Sequence, residues 1–303
     1  MSSELITVFA GKGGVGKTTC AAATALHNTM LGERTLAIST DATPSLSHIF
    51  GIKEKFKPAR VQENLFINEL GIKEVEEMWD RKFGKEVYKV FSSFVSIEYQ
   101  DFLEFMTSLL PGLFDEFMVD YIRELDIAKE YDTIIWDTAP LGQTLTLLQT
   151  PSLVLDHLRM APRVYSKLKR TQEKESLMGI IRKWQQLSEV NIDFLRSEVK
   201  FVIVTIPEAL AVQQLDGVFS ELNRFGFSVK NVIVNNVVKA PDSEFLATKA
   251  AEQTKHIQYI REKFGKFGIT ELPLFPYEIK GVERLKEAEE KLFPPTSSTS
   301  EFM

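Results

Sequence analysis

Residues 11 to 19 read Gly-Lys-Gly-Gly-Val-Gly-Lys-Thr-Thr, and no other stretch limits the fold as much. Gly11, Gly16, Lys17 and Thr18 satisfy the pattern G-x-x-x-x-G-K-[ST], placed after an apolar run and before a helical one. A glycine-rich loop in that position lets backbone N–H groups curl around phosphate oxygens. The helix N-terminus adds its partial positive charge. In such a loop Lys17 reaches the β- and γ-phosphates and the Thr18 hydroxyl ligates Mg²⁺. The candidate nucleotide-binding residues are therefore Gly11, Lys12, Gly13, Gly14, Val15, Gly16, Lys17, Thr18 and Thr19, with ATP and Mg as cofactors. A chance glycine turn is the competing reading, and the strand–loop–helix order argues against it.

The rest of the 303 residues is compatible with one domain built around that loop. Apolar runs at Leu5–Ala10, Arg34–Ser39, Leu65–Leu70, Thr133–Trp136, Lys200–Ile206 and Val229–Val234 lack polar alternation. Such runs suit strands buried on both faces of a parallel sheet. Helical patterns between them fit right-handed βαβ crossovers. The expected fold class is α/β, a doubly wound, mostly parallel sheet. Segments 73–130 and 152–197 are longer than a crossover needs. They read as inserts that form a helical subdomain of one 1–303 domain, and 294–303 reads as a flexible tail.

Composition narrows the partners. The formal net charge is -6, which argues against nucleic acid because phosphate neutralisation needs a basic surface. Cys20 is the single cysteine, so no intrachain disulfide forms, and four scattered histidines suggest no metal cluster. Leu5 to Ala10 is too short for a signal h-region, and no run of 18 apolar residues appears, so a cytoplasmic location is expected.

Two aspartates stand where strands end. Asp41 follows the second run, at the carboxyl edge where open α/β sheets bind ligands, and its carboxylate could orient a water for in-line attack. Asp137 ends the run Thr133–Trp136, as a Walker B aspartate does, and could hold Mg²⁺ through water; a helix N-cap is the plain alternative.

The string Lys12-Gly13-Gly14-Val15-Gly16-Lys17-Thr18-Thr19 resembles the deviant Walker ATPases. In them the lysine matching Lys12 reaches phosphate bound by the other subunit. The resemblance implies an ATP-linked homodimer, with Lys12, Lys17 and Asp41 as catalytic residues. Residues 39–50, STDATPSLSHIF, and 137–148, DTAPLGQTLTLL, are similar to the two switch segments of the ArsA family. That family includes the arsenite-pump ATPase and the factor that guides tail-anchored membrane proteins. Leu110-Pro111-Gly112 with Glu116, Ile206-Pro207-Glu208, and Leu272-Pro273-Leu274 with Glu278-Ile279 and Gly281 extend the match along nearly the whole chain. The resemblance implies switch roles for Asp41, Asp137 and Gly142, whose N–H would sense the γ-phosphate. It implies adenine contacts for Asn235 and Pro273. It also places Glu208 near the partner's nucleotide, where a solvated helix-start charge is the alternative. A guanine-binding Asn-Lys-x-Asp is absent, since Asn236-Val237-Val238 follows Asn235.

This sequence departs from the family pattern at three places. Residues 242–255 lack the Cys-x-x-Cys that binds zinc between subunits in some relatives. Gln143 replaces a switch histidine, and Ala42-Thr43-Pro44 replaces Pro-Ala-His. The favoured reading is an ATP-driven carrier of hydrophobic, tail-anchored-type transmembrane segments, with a membrane receptor or pump as a further partner. Phe91, Phe94, Phe102, Met106 and Met118 in the first insert are the candidate client-binding residues, because flexible methionine and phenylalanine suit varied apolar clients. For any one of them, packing in the subdomain's own core is the competing role. The alternatives are an ATPase subunit driving an arsenite pump, a spatial-organising ATPase like MinD or ParA, and a nitrogenase-type reductase. One cysteine weakens the first and last of these. The acidic Glu287, Glu289 and Glu290 near the end weaken membrane attachment of the MinD kind.

Overall fold

Each of the six β-branched runs becomes a strand in the computed structural model, which describes residues 6–41, 45–52, 58–92, 95–109, 113–165 and 172–294. In chain order the elements are β1 (Ile6–Gly11), α1 (Lys17–Met30), β2 (Thr35–Ser39), α2 (Leu46–Phe50), β3 (Ala59–Gln62) and β4 (Leu65–Glu69). There follow α3 (Ile72–Trp79), a π-helical turn at Asp80–Gly84, α4 (Lys85–Phe91), α5 (Tyr99–Leu109) and α6 (Leu113–Ala128). Next are β5 (Thr133–Asp137), α7 (Leu141–Tyr165), α8 (Gln172–Ser197), β6 (Val199–Thr205), α9 (Ala209–Phe225) and β7 (Ser228–Val237). The series ends with α10 (Glu244–Phe264), β8 (Ile269–Pro273) and α11 (Val282–Leu292). The chain divides into two compact units. One comprises Met1–Glu69, Tyr131–Leu141 and Val199–Met303; the other comprises Leu70–Glu130 and Gly142–Glu198.

The first unit holds an eight-stranded sheet in the order β3-β4-β2-β5-β1-β6-β7-β8. All neighbours are parallel except β3 and β4. The two edge strands, β3 and β8, were not legible as apolar runs. β3 has four residues and only Ala59 of them is buried. β8 carries Thr270 and Glu271 and ends on Pro273, which a strand tolerates at a sheet edge. The buried face of α1 is Cys20, Ala21, Ala22, Ala23, Ala25 and Leu26, and small residues allow a helix to approach a sheet closely. Leu285, Ala288 and Leu292 of α11 join the same core. His27 of α1 stacks on Phe293 at 3.9 Å, and its Nδ1 lies 2.6 Å from the buried Glu289 carboxylate. These contacts brace the helix whose first turn carries Lys17.

The helical unit has its own aromatic core. Phe102 is fully buried, with the rings of Trp79, Tyr88, Phe91 and Tyr99 around it at 5.3 to 6.2 Å. Three of the expected client-binding positions are buried in this core. Phe102 and Met106 lie four residues apart on one face of α5, and that face is buried. Met118 is buried as well. Phe91 is half-buried against Phe105, and Phe94 lies outside the described residues. A polar chain also crosses this unit. The Asn191 amide donates to Glu116 at 2.8 Å and accepts from Arg123 Nε at 2.9 Å, and Arg123 pairs with Asp120. Lys82 in turn donates to Asp120 and Glu124.

Candidate functional site

The phosphate loop leaves the sheet at its centre, because β1 lies between β5 and β6. Gly11 pairs with Val204 of β6, and a Cβ at Gly11 would collide with the Val204 carbonyl. Gly14 and Gly16 hold φ of 79° and 93°, which L side chains rarely adopt. A Cβ at Gly16 would also collide with the amide of Asn235. That amide donates to the Val15 carbonyl at 2.9 Å, so Asn235, at the end of β7, buttresses the loop. A Cβ at Gly13 would lie 3.7 Å from the Pro140 ring, which brings the segment after β5 beside the loop.

Lys17 is buried, and its ammonium donates to the Lys12 carbonyl at 3.2 Å. Burial pulls its pKa below the usual lysine value, while the nearby carboxylates of Asp137 and Asp41 pull it back up. The Lys12 side chain is half-buried, and among the described residues its ammonium has no hydrogen-bond or ion-pair partner. Thr18 donates to Asp137 Oδ2 at 2.8 Å, and the Ser45 hydroxyl lies 3.4 Å from the same oxygen. Burial pushes the Asp137 carboxyl up to about 7, opposed by Thr18, Lys17 and Ser45 and reinforced by Asp41. Its other oxygen, Oδ1, is buried without a partner among the described residues. A hydroxyl and a carboxylate converging, with one buried acceptor unsatisfied, fit a hydrated divalent cation. Thr18 and Asp137 are the residues that would hold Mg²⁺.

Asp41 follows β2, beside β5 in the sheet, and its N–H donates to Ser39 Oγ at 3.2 Å. Residues 42–44, the centre of the first expected switch segment, lie outside the described residues. A cavity of about 700 Å³ runs from Gly14, Gly16, Thr18 and Thr19 past Asn235 and Asn236 to the segment 272–279. The loop end of this cavity lies at the N-terminus of α1, where phosphates would fit, and its apolar far end suits a base. Leu272 and Leu274 line it, whereas the Pro273 side chain between them does not. Glu208 is exposed at the start of α9 and lines a separate cavity, of about 880 Å³, with α10. Gly142 belongs to the helical unit.

Several participants had no sequence signal of their own. Ser45 and His48 line the cavity from α2, and Phe275 and Tyr277 line its far end. Asn236 adopts φ 58°, and Gln253 of α10 donates to its carbonyl at 2.9 Å and accepts from Val238 N–H at 2.9 Å. A buried glutamine thus fixes the irregular end of β7, where Asn236 lines the cavity.

The family described as anion-transporting ATPase matches residues 4–294. A protein of Chlorobaculum tepidum named for driving an arsenical pump is 28% identical over 93% of this chain and 73% of its own length. The "ATPase ASNA1 homolog" of Dictyostelium discoideum is 29% identical over 97% of the chain and 91% of its own length. The "ATPase GET3A" of Arabidopsis thaliana is 29% identical over 96% and 84%.

Proposed function

Since this chain belongs to the anion-transporting ATPase family, and is an ATPase, we propose that it works as a homodimeric, ATP-driven carrier of hydrophobic transmembrane-type segments. The observation that carries the dimer is Lys12. Its ammonium has no partner among the described residues, while the same lysine's carbonyl accepts from Lys17. A second copy's triphosphate would supply the missing anion. The client role rests on the resemblance and on the helical unit, which exposes Val95, Phe105, Ile127, Leu153, Met160 and Val190. Large apolar side chains left in water favour binding of an apolar partner.

Each residue then has a task in hydrolysis. The loop N–H groups and Lys17 hold the β- and γ-phosphates. Thr18 and Asp137 would hold Mg²⁺, which would offset the charge that builds on the phosphates. Asp41 accepts a hydrogen bond from the attacking water and fixes its line of approach. Binding in the ATP-closed dimer and release on hydrolysis follow if the segments that flank Asp41 and Asp137 respond to the γ-phosphate.

A second reading, an ATPase subunit of an arsenite pump, is favoured by the name of the Chlorobaculum relative. Cys20 opposes a thiol-based metalloid site, because it is buried and its thiol is pushed up to about 12. One experiment separates the two. Asp41→Asn should bind ATP, turn over slowly and co-purify with a tail-anchored test protein. If no nucleotide state of the wild type captures such a segment, the carrier reading fails.

A further inference from the structure

Three tryptophans occur in the chain, and they are treated differently by the fold. The indole N–H groups of Trp79 and Trp184 are buried without a partner among the described residues. That of Trp136 donates to the Thr40 hydroxyl at 3.0 Å. Burial alone therefore does not guarantee an indole its acceptor here. Trp136 is fully buried in β5, opposite Ile38 of β2, and the next pair in register is Asp137 opposite Ser39. Thr40 is the first residue beyond β2. Its N–H donates to the Asp137 carbonyl at 3.1 Å, so two consecutive residues of β5 hold Thr40 at two different groups. Asp41 comes next, with its own N–H on Ser39 Oγ.

We propose that Trp136 is a positioning residue for ATP hydrolysis: its indole N–H, by fixing Thr40, sets where the chain presents Asp41. The inference rests on the role given to Asp41 above. A phenylalanine at position 136 would fill most of the same space and leave Thr40 Oγ1 buried with one partner fewer. The backbone bond from Thr40 to Asp137 would then act alone, and the Asp41 carboxylate could swing about it. A displacement of about an ångström at a group that orients the nucleophile is enough to cost up to about a hundredfold in rate. The loss of one neutral hydrogen bond sets a smaller scale of about tenfold. Trp136 is fully buried and does not line the cavity beside the phosphate loop, so its effect should fall on turnover and not on binding.

The test is a cycle of Trp136→Phe, Thr40→Val and the double variant, with Thr40→Ser as the conservative control. Both single variants should lower kcat about tenfold, with KM for ATP and Kd for ADP within about twofold of wild type. The double variant should be no slower than the worse single, because both remove the same bond. Thr40→Ser should keep close to the wild-type rate. Unchanged kcat in either single variant, or losses that multiply in the double, would overturn the proposal. If Trp136→Phe does not fold, the comparison of Thr40→Val with Thr40→Ser decides: equal rates in these two overturn it. Asp41→Asn is measured alongside. A wild-type rate there removes the premise about Asp41; a slow Asp41→Asn with normal Trp136→Phe and Thr40→Val removes this inference alone.

Discussion

The side-chain amide of Asn235 donates to the carbonyl of Val15 across 220 residues of sequence, and a Cβ at Gly16 would strike it. The end of β7 thereby supports the underside of the phosphate loop, and the residue expected to read adenine is already committed through its Nδ2 to the loop. Its Oδ1 remains an acceptor that a purine amino group could meet.

Asn235→Ala should therefore weaken ADP binding about fivefold to tenfold, the scale of one lost hydrogen bond. Titration calorimetry with ADP and GDP separates the two roles. Support of the loop predicts equal losses for both nucleotides. Reading of adenine predicts a loss confined to ADP. Unchanged affinity for both would exclude either role.

The two lysines of the loop should fail differently. Lys17 is buried against Asp137 and Asp41, so Lys17→Ala should abolish measurable nucleotide affinity. Lys12→Ala should keep ADP binding and lose hydrolysis, because the proposed dimer calls on its ammonium only at the partner's phosphates. Rates are best read across protein concentration. A Lys12→Ala variant that hydrolyses ATP at the wild-type rate would remove the interfacial role.

How much of this could be read from the chain alone depends on whether the information is local. The loop is largely local, because Gly14 and Gly16 are required by their positive φ within one turn, and their spacing announces it. The central strands are nearly so, since β1, β2 and β5 are buried throughout and are mostly apolar. The edge strands β3 and β8 are half in water and lack that signature. Thr40 with Trp136 and Asn236 with Gln253 are pairings through space, 96 and 17 residues apart, between types that are unremarkable singly. Glu116 stands out in the sequence only as part of a family motif, and its chemistry comes from what surrounds it.

That chemistry gives a pH prediction. Glu116 on α6 is buried, accepts from Asn191 of α8, and has a second oxygen without a well-formed hydrogen bond. Burial pushes its carboxyl up to about 7, with Asp120 adding to the push and Asn191, Ser188 and Arg123 opposing it. Between the usual carboxylate value and about 7 the folded state holds a proton that the unfolded chain has released. Stability therefore falls as pH rises through that window and levels off above it. The cost of the buried anion is on the order of a few kcal/mol. Glu116→Gln should raise Tm at pH 8, leave it nearly unchanged at pH 4.5, and flatten the profile between. A profile identical to wild type would show that Glu116 does not titrate there.

Where a client could touch the helical unit is constrained by what the unit already buries. Phe102 is fully buried among four aromatic rings, so Phe102→Asp would place a carboxylate in the core. Truncating such a ring typically costs about 3–5 kcal/mol even without an added charge. Loss of client capture in that variant would report unfolding of the unit. Phe105 lies three residues on, is 38% exposed, and stands at 5.3 Å from the Phe91 ring. Phe105→Asp should therefore cost about 1 kcal/mol or less in stability, as surface substitutions usually do. Its effect on an apolar client should be larger, because a charge then meets apolar surface removed from water. The expected result is a Tm and basal ATPase rate near wild type, with capture of a tail-anchored test segment reduced at least about tenfold. Met160→Asp, at a second exposed position on α7, should act in the same direction. Undiminished capture in both variants would move the client to another surface of the protein.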